Sequence, residues 1–171
     1  MTAPATIHEE RLVGLVQELA GLQEQHLGER PCRAHQTCEH LLLALGRLFT
    51  FDPRSHRPIG MPDHRCYENA ALYASETPGL MYTEGVALVS TGEGRHICLS
   101  HAWAARPDRT AIEPTWDEPG RAYFGLSIAD PVLWPLNGDG LLGAFDKTLP
   151  LLRDGLPTGV LGAVGRRPAR S

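Results

Sequence analysis

Cys66-Tyr67-Glu68-Asn69-Ala70-Ala71-Leu72-Tyr73-Ala74-Ser75 is the stretch on which the fold turns. It holds no Gly or Pro and follows an approach, Asp52 to Asp63, that gathers Pro53, Pro58, Gly60 and Pro62. This composition predicts an irregular loop, then a helix that begins at the cysteine and stops before Pro78-Gly79. Beyond it the apolar residues alternate instead of recurring at helical spacing. Met81 to Ser90 reads as a strand and Gly92 to Gly94 as a turn. His96 to Ala104 and Arg109 to Thr115 read as a hairpin joined through Arg106-Pro107-Asp108, and Ala122 to Ile128 as a further short strand.

Upstream of the cysteine the pattern is helical. Leu12, Leu15, Val16, Leu19, Leu22 and Leu27 trace one stripe of a helix over 7–27, preceded by small residues expected to fray up to Thr6. Leu41, Leu42, Leu45, Leu48 and Phe49 predict a second helix over 34–49. A last helix is expected over 141–152, and the Gly- and Pro-containing remainder reads as a loose tail. Helices first and antiparallel strands after them make an α+β fold. The expected organisation is one catalytic domain over 1–155, with N-terminal helices within 7–50 and a core over 60–155, followed by a flexible tail over 156–171.

At 171 residues and 42% hydrophobic content, the chain is long and apolar enough for a single buried core. A formal charge of −4 gives no broad attraction to phosphate, so nucleic acid is not an expected partner. No run approaches the roughly 18 apolar residues of a membrane span, and Met1 to Glu10 lacks the basic and apolar regions of a signal peptide. A membrane partner is therefore not expected, and the expected location is the cytoplasm. There Cys32, Cys38, Cys66 and Cys98 are read as thiols before disulfides. Nothing in the sequence sets an oligomeric state.

A thiol becomes a good nucleophile at a helix N-terminus or beside an imidazole that can take its proton. Cys66 has the first by position. His101 offers the second, at the end of the alternating row Ile97, Leu99, His101, Trp103. If Arg106 to Asp108 form the loop, Ala105 pairs with Arg109 and His101 lies opposite Glu113, near enough for the carboxylate to hold the imidazole. A four-residue loop would instead put Pro114 opposite His101.

Cys66-Tyr67-Glu68-Asn69-Ala70, Tyr82-Thr83-Glu84-Gly85, His101-Ala102-Trp103, Glu113-Pro114-Thr115-Trp116 and Tyr123-Phe124-Gly125, in that order, resemble the papain-like and transglutaminase-like cysteine hydrolase fold. The resemblance covers about Gly60 to Ile128. It implies a Cys-His-acid triad of Cys66, His101 and Glu113 that acts on an acyl or amide carbon through an acyl-enzyme, with no cofactor. The implied substrate is a peptide, amide or thioester. The usual acid in such hairpins is Asp, where this chain has Glu113, and the Gln that papain-like enzymes carry before the cysteine is replaced here by Gly60, Met61 and His64.

Around this triad, Trp103 and Trp116 are candidates to pack or to wall the cleft, and Asn69 is a candidate donor to an oxyanion. Cys98 alternates away from His101 and reads as core. Cys32, His35, Cys38 and His40 crowd into a few turns, whereas structural zinc sites take pairs of ligands from separated elements, so no metal is expected. The alternative to an enzyme is a binding or adaptor protein on the same fold, its helical first third docking a partner.

Overall fold

Thr6 and Glu9 open the first helix, α1 (Ile7–Leu27), by a reciprocal cap. The Thr6 hydroxyl accepts the Glu9 N–H at 3.2 Å, and the Glu9 carboxylate accepts the Thr6 N–H at 2.6 Å. Thr6 is thus held by the helix instead of fraying ahead of it. The computed structural model describes residues 6–28, 32–52, 56, 58–165 and 167–168. Of the apolar stripe, Leu12 and Val16 are buried while Leu19 and Leu22 are exposed, so only the first half of α1 is packed along that row.

The second helix is shorter than its apolar pattern predicts. It covers Cys38–Leu45 (α2), and Arg47–Phe49 form a strand, β1. Gly46 makes the break, because a Cβ there would lie 2.4 Å from the Leu42 carbonyl oxygen and 2.8 Å from the Phe124 ring. Leu48 and Phe49 are both buried because β1 has core on its two faces. A two-sided strand and the end of a helix leave the same short apolar run in a sequence.

Then follow α3 (Cys66–Glu76), β2 (Met81–Ser90), β3 (His96–Ala105), β4 (Ala111–Ile112), β5 (Ala122–Ser127), a 3₁₀ turn at Pro131–Leu133, and α4 (Phe145–Asp154). The α3 helix begins at the cysteine, as its composition predicts, whereas α4 begins at Phe145 and not at Leu141. The strands pair antiparallel in the order β1-β5-β2-β3-β4. The fold is therefore α+β. The sheet curls until its edges meet at Thr50, whose N–H donates to Arg109 O at 2.9 Å and whose O accepts the Ala111 N–H at 2.7 Å.

Curling gives the sheet two unlike faces. Leu48, Tyr82, Leu88, Ala102, Ala104, Phe124 and Leu126 pack outward against the helices, where Ala70, Ala71 and Ala74 let α3 lie close on β3. Phe49, Ala87, Trp103, Ala105, Ala111 and Tyr123 fill the inside. As far as Val164 the segment after α4 is docked and not loose: Ala129 N–H donates to Val160 O at 2.7 Å, Gly162 N–H donates to Ser127 O at 2.8 Å, and Val164 packs with the inner cluster, while the end of the expected tail, 169–171, lies outside the described residues. No helix among the described residues is long and apolar enough to cross a membrane.

Gly85 and Gly125 face one another across β2 and β5, next to His101. A Cβ on Gly125 would lie 2.5 Å from Glu84 O and 2.7 Å from the Trp103 ring, so the inner core closes over this glycine. Gly125→Ala is expected to cost about 1–3 kcal/mol by overpacking. The urea midpoint would fall with little change of slope; an unchanged midpoint would mean that strand and ring yield without strain.

Candidate active site

The turn between β3 and β4 decides which side chains meet. A three-residue loop would pair Ala105 with Arg109; the structure pairs Ala105 with Ala111 and Ala104 with Ile112. Arg106 N–H donates to Thr110 O at 2.9 Å, Arg109 N–H donates to Arg106 O at 3.0 Å, and Asp108 Oδ1 accepts the Thr110 N–H at 2.9 Å. Arg109 takes a positive φ of 77° to complete this wider turn. The register is thus moved by two residues, which puts Trp103 and not His101 level with Glu113. A shift of two keeps every side chain on its face. Glu113 therefore still reaches His101, diagonally, and its Oε2 lies 2.8 Å from His101 Nε2.

Hydrogen-bonded pairs alternate along an antiparallel ladder. With 106 and 110 joined, the next such pairs are 104 with 112 and 102 with 114. Pro114 has no N–H to offer, so β4 stops at Ile112. The chain turns back on Glu113, whose Oε1 accepts the N–H groups of Thr115 at 3.0 Å and Trp116 at 3.1 Å. This leaves the Ala102 N–H on an open edge of β3, and the Cys66 sulfur lies against it.

Three consequences follow for Cys66 at the first position of α3. Its half-buried thiol is pushed up in pKa by burial, opposed by the N–H groups of Ala102, Tyr67 and Cys66 itself and reinforced by the nearby Glu113 charge, so the resting group is the thiol. The sulfur lies against the His101–Ala102 peptide, because the amide it meets is bonded directly to the His101 carbonyl. And it comes along the strand edge, since α3 packs on the outer face while the His101 ring turns inward with Trp103. The sequence puts sulfur and ring face to face; the structure sets the sulfur at the strand edge beside the Ala102 amide, with no hydrogen bond to the ring among the described residues.

His101 is fully buried. Trp116 stacks on its ring with centroids 3.5 Å apart and planes at 12°. A carboxylate can only accept, so in the neutral ring Glu113 assigns the hydrogen to His101 Nε2 and leaves Nδ1 as the lone-pair nitrogen. That Nδ1 is buried and has no partner among the described residues. Glu113 Oε2 also accepts the Tyr123 hydroxyl at 2.9 Å, and that hydroxyl accepts the Gly120 N–H at 2.8 Å.

The remaining candidates separate. Trp103 has no exposed surface and packs against Phe49 and Tyr123 at centroid distances of 5.4 and 5.0 Å, so it floors the site and does not wall a cleft. Asn69 is buried, and its Nδ2 donates to Pro62 O at 2.7 Å and to Thr115 Oγ1 at 3.0 Å, which ties the approach loop to the turn after β4 and spends the donors an oxyanion would need. Trp116 is the one of the three that lies on the imidazole. Tyr123 and the Ala102 N–H are the partners that sequence reading misses. The parity of β5 and the missing donor of Pro114 are the signals that point to them.

Away from Cys66, His101 and Glu113, Cys98 lies on the outer face, half buried. His40 Nδ1 bonds the Thr37 hydroxyl at 3.0 Å and Nε2 the Glu24 carboxylate at 2.7 Å. No group of His, Cys, Asp and Glu among the described residues has metal-site geometry. A cavity of about 470 Å³ reaches Glu113 from the side of the approach loop, lined in part by Asp52, His56, Ile59 and Arg106.

Glu84, buried on the outer face, accepts the N–H groups of Leu141 at 2.8 Å and Leu142 at 3.1 Å. Burial pushes its pKa up to about 7, although these two donors oppose the shift. A carboxyl raised in the folded state binds its proton more tightly there than in the unfolded chain. Its contribution is complete below the unfolded pKa and is lost as pH rises through the folded one, a fall on the order of 3 kcal/mol. Urea titrations across that window should show this slope, and Glu84→Gln should flatten it; equal slopes in both proteins would contradict the assignment.

No protein family, curated protein or solved structure matches this chain.

Proposed function

We propose that the chain is a cysteine-dependent hydrolase or acyltransferase on a papain-like or transglutaminase-like core, acting on an amide, peptide or thioester carbonyl. One observation carries this reading: the Cys66 sulfur lies at the start of a helix against the peptide that follows His101, whose Nε2 is held by Glu113 and whose Nδ1 is left without a partner. A buried imidazole nitrogen without a hydrogen bond is costly, and acceptance of a thiol proton gives it a purpose.

In this mechanism Cys66 turns about its Cα–Cβ bond toward Nδ1. Such contacts are often long at rest and tighten when substrate binds. The sulfur attacks the carbonyl carbon as its proton passes to Nδ1, and Glu113 steadies the imidazolium that forms. The tetrahedral intermediate collapses when the imidazolium returns that proton to the leaving amine or thiol, which leaves the acyl group on Cys66. Water or an amine then attacks the thioester, His101 taking its proton and passing it to the departing Cys66 sulfur, which regenerates the free thiol and the bare Nδ1. The raised thiol favours transfer of the proton during attack over a standing ion pair. The Cys66 N–H at the helix N-terminus is one donor for the oxyanion.

Iodoacetamide labelling mapped by mass spectrometry tests the pair. His101→Ala is expected to slow Cys66 labelling near neutral pH by about a hundredfold, the low end of what a general base contributes. A Cys66 rate indifferent to His101→Ala would overturn the reading.

A second reading, a non-catalytic binding protein on the same fold, is favoured by the full burial of His101 and the protonated state of Cys66. Exposed Leu19 and Leu22 border a groove of about 630 Å³ between α1, α2 and α4, the natural seat for a partner. Under it, all accessible thiols label only under alkaline conditions and none depends on His101.

A further inference from the structure

We propose that Tyr123 is a positioning residue for the Cys66–His101 pair, acting through Glu113: its hydroxyl bridges the Gly120 amide and the carboxylate oxygen that holds His101. This deepens the catalytic reading and rests on it. Glu113 accepts four hydrogen bonds, from His101 Nε2, Tyr123 Oη and the amides of Thr115 and Trp116, which is as many as its lone pairs take. The two amides fix Oε1 within its own turn. Oε2 carries the imidazole, and Tyr123 is its second donor.

The phenol suits this role because it cannot turn around. Tyr123 is buried between β1 and β2 partners, Phe49 and Ala87, and a Cβ on Gly120 would lie 3.2 Å from its ring, so a side chain there would crowd the phenol whose oxygen the Gly120 N–H meets. With the Gly120 N–H occupying a lone pair, the hydroxyl hydrogen goes to Glu113. Burial, and next the Glu113 charge, push the phenol pKa well above its ordinary value, so the donor persists over the working range. Without it, Oε2 has only the imidazole to hold it, and Oε1, pinned by its two amides, is left as the pivot about which Oε2 can shift away from His101 Nε2.

The test is a double-mutant cycle on Cys66 labelling by iodoacetamide, with urea midpoints taken in parallel. Tyr123→Phe is expected to slow labelling by about tenfold, the low end of the effect of one hydrogen bond to a charged group. In the His101→Ala background the same change is expected to have no effect, because Tyr123 acts only through that imidazole. Equal slowing in both backgrounds would show a merely structural role and overturn the proposal, as would no slowing in either. Indifference of the rate to His101→Ala alone would instead remove the catalytic reading on which it rests. If Tyr123→Phe fails to fold, 3-fluorotyrosine at position 123, a stronger donor of nearly the same shape, should alter the rate with His101 present and leave it unaltered with His101→Ala; any other pattern overturns the proposal.

Discussion

Cys66→Ser is expected to lower turnover of an activated ester such as p-nitrophenyl acetate by roughly a thousandfold, because the residues of a catalytic unit fail together when its nucleophile is lost. The hydroxyl holds its proton far more tightly than the thiol does. His101 Nδ1, which makes no resting hydrogen bond among the described residues, would have to remove that proton without the contact that assists a serine enzyme. Intact wild-type protein quenched in acid during turnover should carry one acetyl group, mapping to the Cys66 peptide. Turnover that survives Cys66→Ser, or an acetyl group found elsewhere, would contradict the assignment.

Glu113→Ala should be among the most destabilising single changes in the chain. The carboxylate is buried and is the shared acceptor of an imidazole, a phenol and two amides. Its removal leaves four donors facing a cavity, and breaking a buried pair from one side typically costs about 3–5 kcal/mol. Urea unfolding is the check. Glu113→Gln keeps the volume and one acceptor, so it should fold but lose most of the His101 dependence of Cys66 labelling. An alanine variant within about 1 kcal/mol of wild type would mean that water or a local shift satisfies those donors.

The α+β order, the start of α3 at Cys66 and the strands β2 and β3 were legible because each rests on a local signal: a Gly/Pro-rich approach, a helix-forming run, an alternating row. The loop between β3 and β4 was not. Arg106-Pro107-Asp108 looks like a complete turn, yet the chain extends it with Arg109 at positive φ, which a sequence does not mark. His101 and Glu113 survived that error because a slip of two residues preserves the face.

The edge approach of Cys66 was harder to read, since it depends on where β4 ends and on which face α3 covers. Pro114 held the first half of that answer. Leu48 and Phe49 misled for the opposite reason: β1 is buried on both sides, and its end closes the curled sheet through Thr50, a contact between residues about sixty positions apart in the chain. Trp103 and Asn69 carried the right residue types for a cleft, but their surroundings turn both to the interior.

In the proposed mechanism His101 presents its bare Nδ1 to Cys66. Long-range nitrogen–proton correlation spectra of labelled protein test it directly. The expected result is a hydrogen on Nε2, a lone pair on Nδ1, and an Nδ1 resonance that moves when Cys66 is alkylated. A hydrogen on Nδ1, or a resonance unmoved by that alkylation, would contradict it.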